Sequence, residues 1–175
     1  MVTSTDLMVS ALREVRGAEG ALADQLRTHA AALPAGEYQL VLSRRAKEAR
    51  GRVQRVDERL GELAPRGFGQ AVVGGVWQVA GMTVRVPFEV AMSFPVAARR
   101  GKATEQELLE RVEQEYGVTA RAVAAARAGE HIATKTGDPA SSQLLGSIRR
   151  ADEGLLKELS KDLEQRADDL VAAKP

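Results

Sequence analysis

Met8, Leu12, Val15, Glu19, Leu22, Leu26, His29 and Leu33 follow one another at spacings of four and three. That rhythm places all eight on one face of a single helix. An acid and an imidazole on an otherwise apolar stripe are costly unless something pairs with them. Glu19 and His29 therefore mark either a buried polar site or a helix end open to water. The first helix is expected to start near Ser4 to Asp6, either of which can cap it, and to run to about Leu33. Pro34-Ala35-Gly36 breaks the pattern.

A second helix is predicted from about Glu37 to Leu63, with the seam Leu42, Ala46, Ala49, Val53, Val56, Leu60 and Leu63. Its two central alanines let a neighbouring helix come close. Ala64-Pro65-Arg66-Gly67 ends it. The third helix opens on a capping box, Thr104 to Glu107 (T-E-Q-E). Its predicted seam is Leu109, Val112, Tyr116, Thr119, Val123, Ala126, Glu130 and Ala133. Gly137 is a natural stop, and Asp138-Pro139 supplies an N-cap and first-turn proline for a fourth helix. That helix carries Leu145, Ile148, Asp152, Leu155, Leu159, Leu163 and Leu170, and frays toward Lys174 and Pro175.

Residues 64–102 differ in kind. Gly67 to Val84 is a run of 18 residues without a charge, five of them glycine. Arg85, Pro87, Glu89 and Pro95 follow within more apolar sequence, and Arg99, Arg100 and Lys102 close the segment. The map is two helices (4–63), a long apolar glycine-rich crossover (64–102) and two more helices (103–173). Short links make each pair an antiparallel hairpin, and a long crossover lets one hairpin pack on the other. We therefore expect one all-α domain over 1–175, a ferritin-like four-helix bundle by connectivity.

Composition sharpens this picture in three ways. Aromatic residues make up only 3 % of the 175, so alanine and leucine must fill the core, which favours close-packed helices. There is no cysteine, which removes disulfides, thiolate metal sites and cysteine nucleophiles and fits a reducing cytoplasm. The net charge of +1 implies no particular partner. The opening MVTSTDLMVSALREV lacks a basic stretch followed by an apolar one, so no secretory signal is expected.

Each seam carries an acid at or beside a core position: Glu19, Glu48 beside Ala49, Glu130, and Asp152 or Glu153. One carboxylate per helix near mid-bundle is how a two-metal site is built, with a histidine three residues after the glutamate on two of the helices. Those positions hold Gly51 after Glu48, and Leu156 or Leu155 on the last helix. His29 lies about 15 Å along the helix from Glu19, too far to share its site. His131 points roughly 100° away from Glu130. Two readings stay open. Glu19, Glu48, Glu130 and Glu153 form an altered site for iron or manganese, or the acids pair with arginines. For the second, Arg45 and Arg52 flank the seam and can reach Glu19 or Glu130, giving a buried network of Glu19, Arg45, Arg52, Glu130 and Asp152.

The basic run Arg44, Arg45, Lys47, Arg50, Arg52 and Arg55 reads as a solvated helix face. It has no interleaved aromatics and matches no nucleic-acid module, so nucleic acid is not the expected partner. The 18-residue apolar run sits at the lower edge of a membrane span, but its glycines and Gln70 and Gln78 weaken that reading. Ala71 and Gly75 favour close packing of helices. Val72, Val73, Val76, Trp77, Val79, Met82, Phe88 and Phe94 form the candidate surface for self-association or another protein, with membrane attachment as the alternative. No phosphate loop, serine elbow or zinc motif is present.

Three stretches carry a family resemblance. EVRGAEGALADQLRTHAAAL is similar, in its spacing of Glu19 and the leucines, to the first helix of the stress-associated ferritin-like proteins of bacteria. RRAKEARGRVQRVDERL resembles their His-x-x-Glu-Thr segment: Glu48 matches the glutamate, while Arg45 and Ala49 stand at the histidine and threonine places. EHIATKTGDPASSQLLGSIRRADEGLLKEL resembles their Gly-Asp break before an acidic helix, with Arg149 and Arg150 near the paired acids. The resemblance implies a small bundle with a complete or degenerate di-metal centre and an iron-binding or stress role. Arginine at a ligand place supplies positive charge where the ion would sit. The expectation is thus a non-enzymatic bundle with no resident cofactor, interacting through its crossover.

Overall fold

The computed structural model describes residues 3–63 and 104–172. It holds four helices: α1 (Ser4–Ala31), α2 (Glu37–Leu63), α3 (Glu105–Thr136) and α4 (Pro139–Ala172). Among the described residues there is no strand. The predicted crossover and its candidate surface, from Val72 to Phe94, lie outside the described residues.

Local chemistry sets the helix ends. Thr3, just upstream of the expected caps, starts α1: its side chain accepts from the Asp6 N–H at 3.1 Å, and Asp6 accepts from the Thr3 N–H at 2.9 Å. Thr104 and Glu107 make the same reciprocal box on α3, as the T-E-Q-E spacing predicts. α3 ends where Gly137 turns left-handed (φ 71°), a conformation that costs an L side chain energy and glycine almost none. Asp138 then caps α4, accepting the Ser141 N–H at 3.0 Å.

Around the core the order is α2, α1, α3, α4, with α2 and α4 touching over the shortest stretch. Two apolar clusters fill the interior. One joins Met8, Leu12, Val15, Val56, Ala126, Leu145 and Ile148. The other joins Leu22, Leu26, Ala30, Leu42, Ala46, Ala49 and Ala122. Burying each such leucine or isoleucine contributes about 1.5–3 kcal/mol. Small residues allow the close approach: a Cβ on Gly129 would lie 3.0 Å from Leu145 Cδ1 and 3.5 Å from Val15 Cγ2. Between the clusters, on three helices at once, sits a charged layer.

Candidate functional site

The layer is made by Glu19 of α1, Arg52 of α2 and Asp152 of α4, with both acids at 0 % exposure and Arg52 at 7 %. Arg52 reaches the interior because α2 buries Leu42, Ala46, Ala49, Arg52 and Val56. The side facing inward is thus rotated slightly from the predicted seam, taking Arg52 in place of Val53. The alanines leave room beside the guanidinium. Arg52 Nε donates to Glu19 Oε2 at 2.8 Å. Arg52 Nη2 lies 2.9 Å from Asp152 Oδ1, an ion-pair distance without hydrogen-bond alignment. Glu19 Oε1 and both Asp152 oxygens have no well-aligned hydrogen-bond partner among the described residues.

Burial disfavours a second full negative charge here. Burial first, and the adjoining Glu19 second, push the Asp152 carboxyl up to about 8, against the pull of Arg52. The layer is therefore one guanidinium between two buried acids, and burial favours the neutral form of Asp152. Such a layer holds an arginine where two inward carboxylates meet, and that guanidinium supplies the positive charge the acids need.

The other sequence-derived candidates lie elsewhere. Glu48 is on the outside of α2, 4.0 Å from Arg44. Arg45 pairs with Glu158 at 2.8 Å and Asp162 at 3.8 Å, away from Glu19. Glu130 and Glu153 share Arg149, at 2.6 and 2.8 Å, and Arg127 adds a second bond to Glu153 at 2.7 Å. Hydrogen bonds from Arg127 and Arg149 lower the Glu153 pKa, and those from Glu130 and Glu153 raise that of Arg149. Glu19, Glu48, Glu130 and Glu153 are thus not brought to one point. Among the described residues no group of three or more His, Asp or Glu side chains is arranged to hold a metal ion.

A second buried pair stands nearer the C-terminal end of α1. His29 Nδ1 lies 2.7 Å from Glu115 Oε1, with Glu115 at 0 % exposure. The Gln25 amide nitrogen lies 2.6 Å from His29 Nε2 and donates to Gln114 at 3.0 Å. Gln25 and Glu115 thus hold the two ring nitrogens of His29 from opposite sides. Burial first, then the negative charges of Glu115 and Asp162, raise the pKa of Tyr38.

Glu115 is the residue that the sequence reading passed over. α3 buries Val112, Glu115, Thr119, Ala122, Val123, Ala126, Gly129 and Ala133. Val112, Thr119, Val123, Ala126 and Ala133 of the predicted seam are buried, while Glu115 and Gly129 take the places predicted for Tyr116 and Glu130.

A third cluster ties a helix end to a neighbour. Arg59 of α2 donates to Ser141 Oγ at 2.9 Å and to the capping Asp138 at 2.7 Å. Partial burial pushes the Asp138 carboxyl up, but Ser141 and Arg59 outweigh it and leave the pKa lowered. No protein-family model matches the chain, and no curated protein matches it.

Proposed function

We propose that this chain is a non-enzymatic, ferritin-like four-helix bundle in which the Arg52 guanidinium takes the place of a metal centre. The carrying observation is the buried Glu19–Arg52–Asp152 layer: inward carboxylates from α1 and α4 meet a fixed cation on α2. The order of helices around the core fits that connectivity. So do partners whose numbers run in opposite senses along neighbouring helices. Arg16 pairs with Asp57, Glu19 with Arg52, and Asp24 with Arg50 on α1 and α2. Arg127 pairs with Glu153, and Glu130 with Arg149, on α3 and α4. Both hairpins are then antiparallel.

On this reading the helices are a scaffold, and the apolar stretch within 67–98 serves self-association or binding to another protein. That part rests on the uncharged run from Gly67 to Val84. Among the described residues no helix is long and apolar enough to cross a membrane. Metal analysis of protein purified without chelator, beside a Glu19→Ala variant, tests the proposal. Folded wild-type protein free of iron and manganese is expected. Stoichiometric metal that disappears in the variant would overturn it in favour of a surviving carboxylate site.

A further inference from the structure

Where α2 and α4 draw apart, a groove of about 420 Å³ opens over the Arg52 side of the charged layer. Arg44, Arg45, Arg52 and Arg150 line it, against Glu48 and Glu158. Ala151 and Gly154 keep the α4 wall low. We propose that this groove binds a phosphate group, either free or at the end of a small organic ester.

The lining favours a phosphate over a cation or an apolar ligand. With Arg52 committed to Glu19 and Asp152, Arg44, Arg45 and Arg150 remain against Glu48 and Glu158. Arg45 is held at its Nη2 by Glu158 at 2.8 Å, while its Nη1 has Asp162 at 3.8 Å on the side of the adjoining hollow. Glu158 is itself 66 % exposed, an acid that a doubly charged ligand can displace. Arg150 makes no ion pair among the described residues, and Arg44 meets Glu48 only at 4.0 Å. Planar guanidinium forks match phosphate oxygens in pairs, which a lone carboxylate satisfies only in part. The adjoining hollow of about 480 Å³ has the opposite balance, with Glu37, Asp162 and Asp169 against Arg45 and Arg166. The preference thus belongs to one stretch of the α2–α4 seam. A volume of this size takes a small organic ligand as well as a bare anion.

Calorimetric titration at low ionic strength with inorganic phosphate, and separately with glycerol phosphate, tests the site. One equivalent is expected to bind, with tighter binding of glycerol phosphate pointing to an ester and equal binding to the free anion. Arg150→Gln should weaken binding about tenfold, the worth of one charge-assisted hydrogen bond. Glu158→Gln, which removes the acid competing for Arg45, should tighten it several-fold. Both positions lie at the edge of the groove, and unchanged thermal melts would show that the variants fold. No binding by wild type and Glu158→Gln alike overturns the proposal. So does binding that neither substitution alters, or tight binding to a DNA duplex without competition from phosphate.

Discussion

Arg52 and Arg149 each stand between two acids, in very different surroundings. In the interior, Arg52 stands between Glu19 and Asp152. On the face shared by α3 and α4, Arg149 stands between Glu130 and Glu153. The residue types are nearly the same, and water makes the difference. The outer acids keep 26 % and 32 % side-chain exposure and hydrogen-bond well; the pKa of Glu153 is lowered. The inner acids have none, and that of Asp152 is raised. An exposed pair is optional, because water replaces either partner. A buried pair is obligatory, because removing one partner strands a charge in a medium that solvates it poorly. The inner cluster therefore constrains the helices that carry it, and the outer one adds little.

The sharpest way to break that contrast is Arg52→Met. It removes the one cation that, among the described residues, touches both buried acids, and should cost about 3–5 kcal/mol in denaturant unfolding. The next effect is read along the pH axis. Between pH 3.8 and about 8 the folded chain keeps a proton on Asp152 that the unfolded chain releases. Its contribution to stability is complete below pH 3.8 and is lost as pH rises through about 8. The outer Glu153, with its lowered pKa, has the opposite sign: its contribution is present above pH 4.5 and lost as pH falls. Asp152→Asn should flatten the decline between pH 4 and 8, measured by thermal melts across that range. An unchanged slope would mean that Asp152 does not titrate as its burial requires.

Smaller changes follow. Glu115→Ala leaves His29 Nδ1 buried without its partner and should cost about 1–3 kcal/mol. Arg149→Gln strips the outer cluster of its shared cation and should move the unfolding midpoint far less than Arg52→Met does. An outer loss as large as the inner one would erase the distinction drawn from exposure.

The parts of this architecture legible in the sequence are those set by neighbours in the chain. Thr104 with Glu107, Gly137, and Asp138 with Pro139 each announce a helix end through chemistry confined to a few residues. Glu19 on its apolar stripe announced a buried acid, and Arg52 and Asp152 were expected in its company. What depends on contact between helices was harder to read. Periodicity gives a direction about one helix axis but no distance to the next, so Arg45 and Glu130 were grouped with a layer they do not reach. The structure pairs them with Glu158 and Arg149 instead. Glu115 precedes Tyr116 by one place, and the structure buries the glutamate where the apolar pattern predicts the tyrosine. A long polar side chain is buried when its partner waits on another helix, and His29 lies 86 residues away in sequence.

The most direct measurement compares the equilibrium unfolding of Arg52→Met with that of the triple variant Glu19→Leu, Arg52→Met, Asp152→Leu. If Arg52 is the cation that holds two buried acids in place, the single variant loses about 3–5 kcal/mol. The triple variant, with no charge left to strand, returns to wild-type stability or gains about 1–4 kcal/mol. A single variant as stable as wild type, or a triple variant no more stable than the single one, would contradict that role for Arg52.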